Sequence, residues 1–313
     1  MMMKWIMAVS AVLAGLLFVG GPDVDDGRLY KEIWDMGHVV LFALLAILAL
    51  RLPRLQSVTL WRLILLFAVI APALGLAIEW LQLLVGRDFE YKDVLADTVG
   101  AFCGLAFHGW RQPGYSRLGR GAGLSGLLLL TAFALRYSVE VIIDHAYIRD
   151  EFPVLADFET PFEMSRWDTH LAQLAITQEQ VRYGAKSLRA AFKAGEYPDI
   201  TLLDFSTDWR GFKSLRFSIF SSLRQPIQME LKMYDRQHAA SGYDYADRFN
   251  RELLVNPGWN DIVVSMNDVL TAPKSRAMDL ENMAAFSVFI EELSQPTVFY
   301  FDGLRLSSKE LSD

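Results

Sequence analysis

The chain has a single cysteine, Cys103, and it lies inside an apolar run. That excludes a disulfide framework and a thiolate metal centre, and leaves Cys103 the ordinary role of a small buried hydrophobe. A basic patch is missing as well: the net charge is −7 and the lysines and arginines are dispersed, which argues against nucleic acid as a partner. No Gly-x-Ser-x-Gly elbow, His-Glu-x-x-His helix or phosphate-binding glycine loop occurs, so the chemistries those motifs carry have no foothold. Long apolar runs are absent beyond residue 143, although 52% of the whole chain is hydrophobic. The apolar residues are therefore concentrated in the first half, and the remainder reads as a separate, water-soluble domain.

A membrane-crossing helix needs about 20 mostly apolar residues. Five segments qualify: 5–20, 33–52, 63–85, 94–110 and 124–143. The loop at 51–62 carries Arg51, Arg54 and Arg62 without an acid, and 111–120 carries Arg111, Arg117 and Arg120 without an acid. Cytoplasmic loops are enriched in this way. The alternate loops, 21–35 and 86–93, are acidic or mixed and belong outside. Threading from Lys4 inside, five spans place everything after residue 143 in an extracytoplasmic compartment. The first segment also fits a cleaved signal peptide, which enters with the same orientation. The expected organisation is a transmembrane domain at 1–143, a juxtamembrane linker at 144–152 and an outer domain at 153–308. The lipid bilayer is then a partner, in a bacterial inner (cytoplasmic) membrane with the amino end in the cytoplasm.

Three of the spans carry groups that hydrocarbon disfavours: His38, Glu79 with Gln82, and Asp97. A carboxylate at mid-membrane costs about 2.5–3.5 kcal/mol on insertion scales, so such residues face a partner or a water-filled cavity. Glu79 and Gln82 are three apart and Asp93 and Asp97 four apart, so each pair shares a helical face. Arg136 lies in the outer half of the last span, within reach of pairing with Glu79 or Asp97. These six residues can line one outward-opening pocket; simple helix-to-helix hydrogen bonding is the plainer alternative. Pro72 and Gly75 mark a kink position, and Gly100 with Gly104 marks close helix packing.

The runs Asp35-Met-Gly-His38-Val-Val-Leu-Phe, Glu79-Trp-Leu-Gln82, Gly86-Arg87-Asp88-Phe89 and Asp93-Val-Leu-Ala-Asp97-Thr-Val-Gly100-Ala resemble the VanZ-like membrane protein family over about residues 30–108. The resemblance implies a multi-pass envelope protein and names no reaction. This chain departs from the family pattern in having no lysine between Asp35 and His38, and in carrying Asp97 where the family has asparagine.

Residues 153–306 alternate apolar and polar positions between turn signals, the pattern of an all-β sandwich. Leu215, Phe217 and Ile219 form one such strand; Met229, Leu231 and Met233 another; Phe286, Val288 and Ile290 a third; and 298–306 a fourth. The fold class expected is thus multi-domain: an all-α transmembrane bundle of about five helices followed by an all-β jelly roll. Opening on Asp157-Phe158-Glu159 and closing on Phe299-Tyr300-Phe301-Asp302, the outer domain resembles galactose-binding-like jelly rolls, common among carbohydrate-binding modules. That resemblance implies a glycan or glycolipid ligand. It also implies a structural Ca²⁺ near the joined terminal strands, where Asp157, Glu159 and Asp302 offer hard oxygen ligands; no other cofactor is expected.

Sugar recognition combines aromatic faces with a few polar groups. The segment 238–250 supplies both, and its candidates are His238, Tyr243, Asp244, Tyr245, Asp247 and Arg248. Trp259 joins them. Trp167 and Trp209 are further aromatic candidates, with a core position the more ordinary one for every tryptophan. Three functions fit: an envelope protein pairing a polar membrane pocket with glycan recognition, a membrane enzyme acting on a lipid-linked envelope intermediate, or a structural anchor for an adhesion domain.

Overall fold

The computed structural model describes residues 2–16, 28–84, 86, 89–111 and 116–309. The end of the first expected span, the acidic loop residues 21–27, and Arg87 with Asp88 lie outside the described residues. The chain divides into two compact units, Met1–Ile142 and Ile143–Asp313.

The first unit is helical: α1 (Met2–Leu16), α2 (Arg28–Ala49), the short α3 (Pro53–Gln56), α4 (Leu60–Leu84), α5 (Tyr91–Arg111) and the first part of α6 (Arg117–Glu151). On α4, Leu63, Phe67, Ala71, Gly75 and Glu79 recur every fourth residue and are all buried. One stripe therefore runs from apolar to polar without leaving the helix interface. α2 buries His38, Leu41, Phe42 and Ala46 in the same way. A Cβ on Gly100 would stand 2.3 Å from the Val39 carbonyl oxygen, and one on Gly104 2.5 Å from that of Ala43. These glycines bring the backbones of α2 and α5 into contact, as their spacing predicts. The outward faces are apolar, with Leu65, Val69, Trp80, Leu84, Leu128 and Leu129 exposed. Polar inside and apolar outside inverts the pattern of a water-soluble bundle. Among the described residues three helices, α2, α4 and α6, are long and apolar enough to cross a membrane. Of the other two expected spans, α5 carries Lys92, Asp93, Asp97 and Arg111, and the described part of α1 is 15 residues long.

In the segment 144–152, α6 continues to Glu151, and no proline or glycine falls between Gly126 and Pro153. Its last turns belong to the second unit, where buried Asp144 accepts two hydrogen bonds from the Arg166 guanidinium at 2.6 and 2.9 Å.

The rest of the second unit is a sandwich of antiparallel sheets. The larger has the order β10–β7–β13–β4–β3 (Gly258–Ser265, Ser214–Ser221, Thr297–Ser307, Ser187–Phe192, Ala172–Thr177), and the first strand, β1 (Val154–Ala156), pairs with the last, β13. The second has the order β2–β6–β11–β8–β9 (Trp167–His170, Asp199–Leu202, Met283–Phe289, Ile227–Asp235, Phe249–Val255). A small ribbon joins β5 (Gly195–Glu196) to β12 (Glu292–Leu293). Leu215, Phe217 and Ile219 meet Met229, Leu231, Met233, Phe286 and Val288 in the core. On β13 it is Phe299 and Phe301 that point inward, while Tyr300 faces Phe220 on the far side of the sheet. Trp209 is fully buried and Trp167 packs between Phe158 and Phe286.

Candidate functional sites

In the helical unit, His38 of α2 is clamped by α5. Its Nδ1 lies 2.9 Å from Asp97 Oδ1 and its Nε2 3.2 Å from Asp93 Oδ2. Glu79 enters from α4 and accepts a hydrogen bond from the Glu90 backbone N–H at 2.8 Å; Gln82 is buried beside it on the same helical face. Gly75 makes room for the clamp, since a Cβ there would stand 2.9 Å from Asp97 Oδ2. One turn from His38, oxygens of Asp35, Glu90 and Asp93 gather within 4.8 Å of one another. Lys31 Nζ pairs with two of that group, at 2.8 Å from Glu90 and 3.4 Å from Asp35. His38, Asp93 and Asp97 thus converge directly, with Glu79 and Gln82 on the facing stripe. Arg136 does not join them: it is exposed on α6 with its guanidinium over the Phe133 ring.

Chemically, Nδ1 is committed to Asp97 by a hydrogen bond, whereas Nε2 faces Asp93 Oδ2 without forming one. The clamp suits holding helices in register, or storing a proton shared among three groups.

In the sandwich, residues 236–248 form two short 3₁₀ turns between β8 and β9. His238 is buried, stacked on Tyr234 and edge-on to Tyr243, with Nδ1 3.4 Å from Asp247 Oδ2. Burial lowers its pKa, against the opposing pull of Asp247. Arg276 donates to both Asp235 and Asp247, and its hydrogen bonds hold the Asp247 carboxyl down at about 2. Asp244 caps its own turn through Ala246 N–H. His238, Asp244 and Asp247 therefore build the loop, whereas Tyr243 and Tyr245 are left exposed on it. Arg248 lies over the Tyr245 ring at 4.9 Å and donates from Nε to Asn250 Oδ1.

Trp259 is separated from this loop. It belongs to β10 of the other sheet and packs edge-on against Phe220, which in turn meets Tyr300. Polar groups on that face satisfy one another: Arg182 is bidentate on Asp261, Ser218 donates to Asp261, and Tyr300 donates to Glu179.

The loop borders the outward face of the five-stranded sheet. Across the strands run two rows, Asp168–Thr201–Ser287–Lys232–Asn250 and His170–Asp199–Phe289–Glu230–Glu252. Tyr197 packs on Phe289 with ring centroids 6.3 Å apart, and Lys232 Nζ lies over both Phe289 and Tyr234, at 5.8 and 5.9 Å. Burial lowers the Lys232 pKa, helped by the neighbouring charge of Arg248, and burial raises that of Asp199. Sequence reading passed over Tyr197, Asp199, Lys232, Tyr234 and Phe289. The signal was present: once Met229, Leu231 and Met233 point inward, strand alternation sends Lys232 and Tyr234 outward, and an outward Phe289 beside them is the aromatic that a polar face does not need.

The three expected calcium ligands do not come together as a three-carboxylate set among the described residues. Glu159 Oε1 accepts from the Ala185 and Lys186 N–H groups, Asp302 Oδ2 from those of Arg182 and Tyr183, and Asp157 Oδ1 from that of Glu159. One oxygen of each carboxylate thus ties down backbone N–H groups, while Asp302 Oδ1 is buried without a hydrogen-bond partner and feels the Glu159 charge.

No protein-family model matches the chain, and no curated protein does. The resemblance of residues 30–108 to the VanZ-like family therefore rests on its motifs alone. Among solved structures, the chain is similar to a family 11 carbohydrate-binding module from Clostridium thermocellum in complex with a β-1,3-1,4-mixed-linked tetrasaccharide, at 12% identity and TM-score 0.39 over 50% of this chain and 95% of that one. An exo-β-agarase is similar at 17% identity and TM-score 0.41, over 50% of this chain and 25% of that one. The family 30 carbohydrate-binding module of a Clostridium thermocellum cellulosomal cellulase is similar at 12% identity and TM-score 0.34, over 46% and 87%. The carboxy-terminal part resembles carbohydrate-binding-module jelly rolls. At this identity no ligand is carried across.

Proposed function

We propose that this chain is a multi-pass membrane protein of the bacterial cell envelope, of the VanZ-like type, whose outer sandwich binds a glycan or a glycan-bearing lipid. The observation that carries the reading is the outward face of the five-stranded sheet. Tyr197 and Phe289 offer ring surface for a pyranose, and Asp199, Thr201, Glu230, Lys232 and Asn250 surround them with donors and acceptors for hydroxyls. Exposed Tyr243 and Tyr245 extend the face at the β8–β9 end. The arginine-rich, acid-free loops support a cytoplasmic amino end and an extracytoplasmic sandwich, and the polar-inside, apolar-outside helices support insertion in a bilayer.

The test is a glycan array probed with the full chain in detergent, with Phe289→Ala as the comparison. Binding that Phe289→Ala reduces about tenfold supports the reading, since loss of a base- or sugar-stacking ring costs roughly 1–3 kcal/mol. Absence of binding to every glycan on the array overturns it.

A second reading, an enzyme acting on a lipid-linked envelope intermediate, draws on Glu79 and the clamped His38. Glu79, which accepts the Glu90 N–H, and His38, whose Nε2 makes no hydrogen bond, are its two candidate general bases. Under that reading Glu79→Gln abolishes a change in envelope-lipid composition that deleting the sandwich only weakens.

A further inference from the structure

Lys232 and Arg248 are an unusual pair on the proposed glycan face. Lys232 stands directly across from Asn250 in the β8–β9 register, Arg248 Nε donates to the Asn250 side chain at 3.0 Å, and the Arg248 charge bears on Lys232. Both are half-buried, and neither makes an ion pair among the described residues. Their rings, Tyr234 and Phe289 for Lys232 and Tyr245 for Arg248, hold the charges in place without neutralising them. Of the acids of the face, Asp199, Glu230 and Glu252 lie in the neighbouring row, from which the Asp199 charge reaches Lys232 without an ion pair, and Asp168 is at the opposite edge, three strands away from Lys232. The face is thus polarised, with its cations beside the 243–248 loop and its carboxylates along the next row.

Two half-buried like charges held together are unfavourable unless an anion sits against them. Other arginines on the sandwich surface are paired with acids: Arg182 with Asp261, Arg210 with Asp208 and Glu281, Arg276 with Asp235 and Asp247. Conventional ion pairing was available to this fold, and Lys232 and Arg248 stand outside it.

We propose that Lys232 and Arg248 bind the carboxylate or sulfate group of an acidic saccharide, so that the face selects charged glycans and sets their direction across the sheet. Arg248 offers its terminal guanidinium nitrogens to two oxygens of one group, and Lys232 supplies a point charge alongside. The rings of Tyr197 and Phe289 then lie under the adjoining sugar, and Asp199 and Glu230 accept its hydroxyl hydrogens. This inference rests on the glycan-binding reading and adds the chemical class of the ligand.

The experiment uses the full chain in detergent on an array of uronate-containing, sulfated and neutral oligosaccharides, followed by calorimetry. The calorimetric probes are the best acidic hit and its charge-free counterpart, a methyl ester for a uronate or the desulfated sugar for a sulfate. The expected result is at least about tenfold preference for the acidic form, the least that a charge-assisted hydrogen bond contributes. Lys232→Met and Arg248→Gln each remove most of that preference, Arg248→Lys keeps part of it, and added salt weakens acidic binding alone. Sodium sulfate or sodium acetate by itself competes only at far higher concentration, which separates a saccharide site from a simple anion site. Equal affinity for the neutral counterpart, or a preference unmoved by both substitutions, overturns the inference while glycan binding stands. No binding to any sugar overturns both.

Discussion

Replacing Arg166 with methionine removes the guanidinium that pairs with the buried Asp144 carboxylate. The Asp144 and Arg166 side chains are each 1% exposed, and the guanidinium spans from Asp144 Oδ1 to the Leu155 carbonyl. Breaking a buried pair from one side typically costs about 3–5 kcal/mol, because the surviving ion stays in a low-dielectric site. For a domain of roughly 150–250 residues each kcal/mol moves Tm by about 2–4 °C, so Arg166→Met is expected to lower Tm by roughly 6–20 °C. Replacing both residues with apolar ones of similar volume removes the stranded charge, and Asp144→Leu with Arg166→Met should recover to within about 1–2 kcal/mol of the parent. Near-UV circular dichroism of the full chain in detergent, followed through the sandwich transition, measures all three proteins. A single variant that unfolds within 2 °C of the parent, or a double variant no better than the single, would refute the reasoning.

Gly100→Ala should separate α2 from α5 by pushing a methyl group into the Val39 carbonyl; a lower melting temperature in detergent is expected, with Gly37→Ala, which meets nothing within 4 Å, as the silent control. Acid should loosen the 236–248 loop through Asp247. Its folded pKa, about 2, lies below its ordinary 3.8, so the stabilisation is complete above about pH 4 and is lost as pH falls through 2. Arg276→Gln should abolish that dependence in a fluorescence-monitored acid titration, and an unchanged profile would count against the network. If the helices are only an anchor, His38→Ala and Glu79→Gln leave the cellular phenotype intact at normal abundance. If the polar cluster functions, phenotype is lost while the protein still inserts.

Much of the architecture was legible before any coordinate. Helical and strand periods separate the two halves cleanly, because an apolar run without alternation cannot be a half-buried strand. The i, i+3 and i, i+4 spacings of Glu79, Gln82, Asp93 and Asp97 forced those groups onto shared faces, and the glycine pair at 100 and 104 pointed to close packing. Arg136 shows the limit of such arithmetic: depth along a helix is readable from sequence, but the direction a helix turns toward its neighbours is not, and α6 turns this residue outward. Nor does spacing along the chain reveal that Asp144 is held by Arg166, 22 residues away.

The sandwich divides in the same way. Its strands, their inward residues and its loop-borne tyrosines follow from alternation and turn chemistry, which act between near neighbours in sequence. Its sheet order does not, and that order placed Trp259 on one sheet and Tyr245 on the other. Only the register of β8 with β9 and β11 sets Lys232 beside Asn250 and Ser287. By itself the sequence determined which residues are polar within apolar helices and aromatic within polar loops, because those properties belong to single side chains. The tertiary structure decided which of them meet, because a contact between residues 38 and 97, or between the neighbours of 232 and 289, depends on how distant segments pack.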